Sequence, residues 1–185
     1  FFPRPEGLTD PYWIEAADGS RLACYFRPAQ SPSPSTKTVV YFHGNGEVVA
    51  DYVPDFAAWV TRLGCNILLA EYRGYGGSWG TPCLAGMLDD VVPIIESLKN
   101  VEGQAIADSQ IVLFGRSIGS LYAVHGAAQR PNVGGLILES GVAEFGTRFF
   151  QRVQAAELGV SEAEVLEALS TTFDYSQKLT TFQGK

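Results

Sequence analysis

The sequence predicts an α/β fold, with a mostly parallel sheet and helices on both of its faces. Three observations carry this expectation. Short apolar runs of strand length alternate with longer stretches of helical periodicity, the pattern of βαβ units. The runs Thr38-Val39-Val40-Tyr41-Phe42 and Asn66-Ile67-Leu68-Leu69-Ala70 are almost continuously apolar, as strands covered on both faces are. A third run, Ile111-Val112-Leu113-Phe114, leads directly into Gly115-Arg116-Ser117-Ile118-Gly119 and then into a stretch suited to helix.

In chain order, residues 12–16 and 21–26 are strand-like and flank Asp18-Gly19, which predicts a hairpin. Residues 28–37 are rich in Pro and Ser and read as a surface loop. The strand at 38–42 ends at His43-Gly44. Residues 51–63 carry Tyr52, Phe56, Trp59 and Leu63 at helical spacing, with Gly64 as the stop. A strand at 66–70 follows, then a helix over 84–98 with Leu88, Val91, Val92, Ile95 and Leu98 apolar. Residues 110–114 are strand, 117–129 helix and 135–140 strand. After Ser140 the pattern changes to helical stretches at 145–158 and 161–169, the second opened by a Ser161/Glu164 capping box. Residues 141–177 thus read as a helical cap above the strand ends, although ordinary crossover helices have the same periodicity.

Composition bounds what the chain can do. Its 185 residues suit one domain with a sizeable core. A net charge of −7 and a pI near 4.8 argue against binding nucleic acid or an anionic membrane. No apolar run approaches the ~20 residues of a membrane span. No secretory signal opens the sequence, whose first residue is Phe rather than Met, and a cytoplasmic location is the expectation. Cys24, Cys65 and Cys83 lack metal-ligand spacing; Cys24 and Cys65 lie in or beside apolar runs and read as small buried hydrophobes of a reducing compartment, whereas Cys83, after Thr81-Pro82, is open to exposure.

The G-x-S-x-G element is the chemical signal. Strand, sharp turn and helix are the context of a nucleophile elbow, which projects its serine above a sheet at a helix N-terminus that favours developing negative charge. Gly76-Gly77-Ser78-Trp79-Gly80 fits the same pattern and also follows a strand. Pro82 and the glycines around Ser78 disfavour a helix there, so Ser78 is expected in a loop and Ser117 is the candidate nucleophile.

With these elements in place the chain resembles an α/β-hydrolase of serine-hydrolase type, in particular the bem46-like esterases and acyl-protein thioesterases. Four segments over residues 11–141 carry the resemblance: Tyr41-Phe42-His43-Gly44-Asn45-Gly46, Glu71-Tyr72-Arg73-Gly74-Tyr75-Gly76-Gly77-Ser78-Trp79-Gly80-Thr81-Pro82, the elbow, and Leu136-Ile137-Leu138-Glu139-Ser140. It implies that Ser117 attacks an acyl carbonyl. Backbone N–H groups of Ile118 and of Asn45, with Gly46 as an alternative, would stabilise the oxyanion. It also implies that His43 is structural, beneath the loop. Glu139, at a strand end, is a further candidate acid.

One departure is large. The fold orders its triad as Ser, then Asp or Glu, then His. His125 is the one histidine after Ser117, eight residues along the same helix and so ~12 Å away along its axis. The expectation is therefore a chain truncated at the C-terminus: residues 1–141 form the hydrolase core, 142–180 a helical cap or insertion, and 181–185 the start of a missing part of the core. The implied activity is cleavage of a carboxylic ester or thioester through an acyl-Ser117 intermediate. A peptidase or amidase on the same fold, or a non-catalytic binding protein, are the alternatives. No metal or organic cofactor is implied, the partner is a small acyl ester or thioester, and oligomeric state is not legible.

Overall fold

A computed structural model describes residues 1–101, 103–142, 150 and 159–185. Among them six strands form one sheet: β1 (Tyr12–Glu15), β2 (Arg21–Arg27), β3 (Thr38–Phe42), β4 (Asn66–Ala70), β5 (Ile111–Arg116) and β6 (Gly135–Glu139), in the spatial order β1-β2-β4-β3-β5-β6. β1 and β2 pair antiparallel around the expected Asp18-Gly19 turn, and β2 pairs antiparallel with β4. β4, β3, β5 and β6 are mutually parallel. This is the mostly parallel α/β architecture that the alternating pattern predicts.

Period-two alternation divides the core. Val40, Phe42, Leu68, Ala70, Ile111 and Leu113 point to one face, where they meet α2 (Leu84–Asp89), α3 (Val91–Glu96) and α4 (Gly119–Gln129). Tyr41, Ile67 and Leu69 point to the other, against α1 (Ala58–Arg62) and the turns before it. Fully burying one such side chain stabilises the fold by roughly 1.5–3 kcal/mol, so both faces of the central strands hold the sheet.

β3 is where the chain reverses direction across the sheet, since β4 lies on one side of it and β5 on the other. The C-terminal ends of β3, β4, β5 and β6 lie together, and the crevice beyond such a switch point is where α/β sheets bind ligands. The segments that emerge there begin with His43, Glu71, Ser117 and Ser140.

Two expected helices differ. Residues 51–63 do not form one α-helix: a 3₁₀ turn (Val49–Asp51) and a π turn (Val53–Ala57) precede α1. The wider π turn shifts the helical phase, so Ala57, Val60 and Thr61 are buried while Trp59 and Leu63 are 51% and 61% exposed. The helix over 84–98 is broken at Asp90 into α2 and α3. Pro93 has no N–H for the Asp89 carbonyl, and the Asp90 carboxylate turns to Arg73 (2.8 and 2.5 Å). The expected capping box is present. Ser161 Oγ accepts the Glu164 N–H (3.3 Å) and Glu164 Oε2 accepts the Ser161 N–H (2.8 Å), opening α5 (Glu162–Phe173), which is followed by α6 (Tyr175–Lys178). The expected helix at 145–158 lies outside the described residues except Phe150.

Beyond β6, the Lys185 N–H donates to the Gly134 carbonyl (3.4 Å) and the Lys185 carbonyl accepts the Leu136 N–H (2.8 Å). This is the bonding of a parallel bridge centred on Gly135. Further along the same strand Ile137 and Leu138 are exposed. No helix among the described residues is long and apolar enough to cross a membrane.

Candidate active site

Ser117 sits at the turn between β5 and α4 with φ +53°, in the left-handed region that non-glycine residues rarely adopt. Its neighbours hold it there. The Ser117 N–H donates to the Glu139 carbonyl (2.9 Å), and the Ser117 carbonyl accepts from Ser120 N–H (3.0 Å) and Ser120 Oγ (2.6 Å). Both glycines of the motif are sterically required. A Cβ on Gly115 would lie 2.6 Å from Ser120 Cα, and one on Gly119 would lie 2.7 Å from the His43 carbonyl oxygen. The start of α4 is thereby pressed against the loop after β3. Among the described residues, Ser117 Oγ has no hydrogen-bond partner, so a side chain held by a strained backbone is left free.

The facing loop is as tightly specified. Gly46 has φ +83°, which its lack of a Cβ allows. The Gly44 N–H donates to Glu47 Oε2 (2.6 Å), while the amides of Asn45 and Gly46, like that of Ile118, have no partner among the described residues. Asn45 Oδ1 accepts from Tyr75 Oη (2.7 Å) and from the Phe2 N–H (3.0 Å), which anchors the loop from outside.

His43 lies beneath it, 1% exposed. Its Nδ1 faces the Gly44 carbonyl (2.8 Å) and its Nε2 faces Glu71 Oε1 (2.8 Å). Glu71 also accepts the Val49 N–H (2.9 Å) and the Tyr72 N–H (3.1 Å), and Tyr72 Oη donates to the His43 carbonyl (2.7 Å). Both ring nitrogens are thus committed to other partners, and the side chain braces the loop from within.

The side chains of the remaining candidates are engaged with other partners. His125, on α4, faces Lys178 Nζ through Nδ1 (3.2 Å). Burial, reinforced by the Lys178 charge and opposed by Asp89, lowers its pKa to about 4. The Glu139 carboxylate is held by Arg116 Nε (3.3 Å) rather than by a histidine. Ser78 lies in a turn, where its Oγ accepts the Ala23 N–H (2.8 Å). Cys24 is buried, with its thiol pushed up to about 12 by desolvation, Cys65 is half-buried and Cys83 exposed. Among the described residues no cluster of His, Cys, Asp or Glu could hold a metal ion.

A profile of the hydrolase family described as "Serine aminopeptidase, S33" matches residues 33–181. The chain is an α/β-hydrolase. This α/β-hydrolase is 34% identical over 148 residues to the uncharacterized protein YfhR of Escherichia coli O157:H7, covering 75% of the chain and 51% of that relative. It is 34% identical over 113 residues to protein bem46 of Schizosaccharomyces pombe, covering 60% and 37%. A solved esterase of Pyrococcus furiosus superposes with a TM-score of 0.68 at 16% identity, over 100% of the chain and 74% of the esterase. The chain spans about half the length, or less, of the curated relatives it matches.

Sequence reasoning missed three parts of the candidate site. Glu47, directly after the first motif segment, forms an ion pair with Arg116 of the elbow. Tyr75 reaches the Asn45 side chain from between two glycines. Tyr175 Oη meets Ser120 Oγ (2.7 Å), three residues after the nucleophile candidate. Opposite charges, one just after the first motif segment and one inside the elbow, were the available signal, and it shows only once the strand ends are known to be neighbours.

Proposed function

We propose that Ser117 is the nucleophile of a hydrolase acting on carboxylic esters or thioesters through an acyl-Ser117 intermediate. The observation that carries this reading is the strained Ser117, its Oγ without a partner among the described residues, at a helix start pressed against a loop whose Asn45 and Gly46 amides likewise have none among them. Attack places negative charge on the acyl oxygen. The Asn45 and Ile118 amides are the donors assigned to it, with Gly46 as the alternative, and such preorganised donors lower the barrier because they need no reorientation.

The serine must lose its proton as it attacks. Neither histidine suits the task, because His43 is committed to Gly44 and Glu71 and His125 faces Lys178. The reading therefore assigns the base and its acid to sequence outside these 185 residues. It also assigns residues 142–180 to a cap. The Tyr175–Ser120 contact supports that placement by setting α6 beside the elbow.

Acyl transfer from an amide would use the same groups, and the family description favours testing it. In the full-length protein, a fluorophosphonate probe should label wild type and Ser78→Ala but not Ser117→Ala. Labelling retained by Ser117→Ala would overturn the assignment. Matched ester and amide substrates then separate the two activities.

A further inference from the structure

We propose that Glu47, braced by Arg116, is a positioning residue that fixes the oxyanion loop against the nucleophile elbow. The proposal rests on the Ser117 reading. Both oxygens of the Glu47 carboxylate are in use. Oε2 accepts the Gly44 N–H (2.6 Å) and the Tyr52 hydroxyl (2.6 Å), and Oε1 pairs with Arg116 Nη1. Arg116 immediately precedes Ser117, and its Nε reaches Glu139 Oε1 (3.3 Å). The Glu139 carbonyl in turn accepts the Ser117 N–H (2.9 Å). A strut of alternating charge thus joins the loop after β3, the residue before the nucleophile and the end of β6.

The strut selects which amides remain available. The Gly44 N–H is taken up by Glu47, and the next two, Asn45 and Gly46, have no partners among the described residues. Gly44 is part of the device, because a Cβ there would lie 2.8 Å from Glu47 Oε2 and 3.3 Å from Arg116 Nη1. The three charged side chains are 25%, 38% and 49% exposed, and ion pairs so open to water contribute little to stability. Their loss should therefore be felt in the aim of the oxyanion donors more than in the folding equilibrium. Arg116, flanked by two carboxylates, is also not free to recognise an anionic substrate.

The test uses the full-length protein with Glu47→Ala, Arg116→Gln and Ser117→Ala. The readouts are kcat and KM on p-nitrophenyl acetate, the inhibition constant of a trifluoromethyl ketone that mimics the tetrahedral adduct, and Tm. Since deleting one oxyanion donor costs about 100–1,000-fold, mis-aiming one should lower kcat about 10–100-fold in Glu47→Ala and somewhat less in Arg116→Gln. KM should stay within about 2-fold and ketone affinity should fall in step with kcat, as expected for an interaction made in the transition state. A merely structural role would move Tm without that parallel.

If both variants fold and keep wild-type kcat and ketone affinity, the proposal is overturned. If Glu47→Ala does not fold, Arg116→Gln decides by the same criteria. Hydrolysis that survives Ser117→Ala would instead overturn the underlying nucleophile assignment, so the two failures are distinguishable.

Discussion

Gly119 abuts the end of β3 so closely that a Cβ on it would lie 2.6 Å from the carbonyl carbon of Phe42. That contact, between the last glycine of the elbow and the last residue of the central strand, sets the distance between the nucleophile candidate and the facing loop. Both partners are backbone, so neither can rotate out of the way.

We expect Gly119→Ala to destabilise the fold by about 3 kcal/mol, at the upper end of the cost of overpacking. Urea denaturation of the variant measures it. A loss under about 1 kcal/mol would mean that the elbow has more room than this geometry allows.

Ser117 itself stores strain. Left-handed backbone costs a non-glycine residue roughly 1–2 kcal/mol, so Ser117→Gly should raise stability by about that amount while abolishing probe labelling. Ser78→Ala should do the reverse, losing about 1 kcal/mol with its hydrogen bond to the Ala23 amide and leaving labelling intact. Thermal denaturation of the two variants beside wild type gives both signs.

His125 links stability to pH. Burial, and secondarily Lys178, depresses its folded-state pKa from 6.5 to about 4. Above about pH 6.5 the ring is neutral in both states and its packing is fully expressed. As pH falls from there towards 4, the unfolded chain takes up the proton first and stability declines. His125→Gln should flatten this part of the curve by about 1 kcal/mol between pH 7 and 4.5, a discounted figure because the ring is partly open to solvent. Equal slopes in the two proteins would refute the assignment.

Purified as these 185 residues, the chain should lack fast hydrolysis that depends on Ser117. A serine hydroxyl without a base is a poor nucleophile at neutral pH, and only weak residual activity from the proposed oxyanion donors is expected. Short p-nitrophenyl esters, assayed beside Ser117→Ala, provide the measurement. Fast turnover lost in that variant would show that a base exists here, with His43 the first residue to examine.

Much of the fold was legible because its signals are local. Asp18-Gly19 between two alternating runs specifies the hairpin, and unbroken apolar runs specify strands covered on both faces. The helices were read less well, since Pro93 and the π turn after Tyr52 change phase in ways that apolar spacing alone does not reveal. At the site, Ser117 and its glycines announce themselves because a tight turn admits few residue types. The Glu47–Arg116 pair and the His43–Glu71 pair join residues 69 and 28 positions apart, and such partners become neighbours only through the strand order.

The left-handed backbone at Ser117 also limits which nucleophiles this scaffold could ever carry. A β-branched side chain is a genuine outlier at positive φ, so threonine is closed to the position even though it offers the same hydroxyl. Cysteine has the unbranched shape of serine and is open. On the proposed reading of Ser117, evolution or engineering could therefore exchange the elbow's hydroxyl for a thiol in a single replacement, whereas threonine would require the turn to be rebuilt.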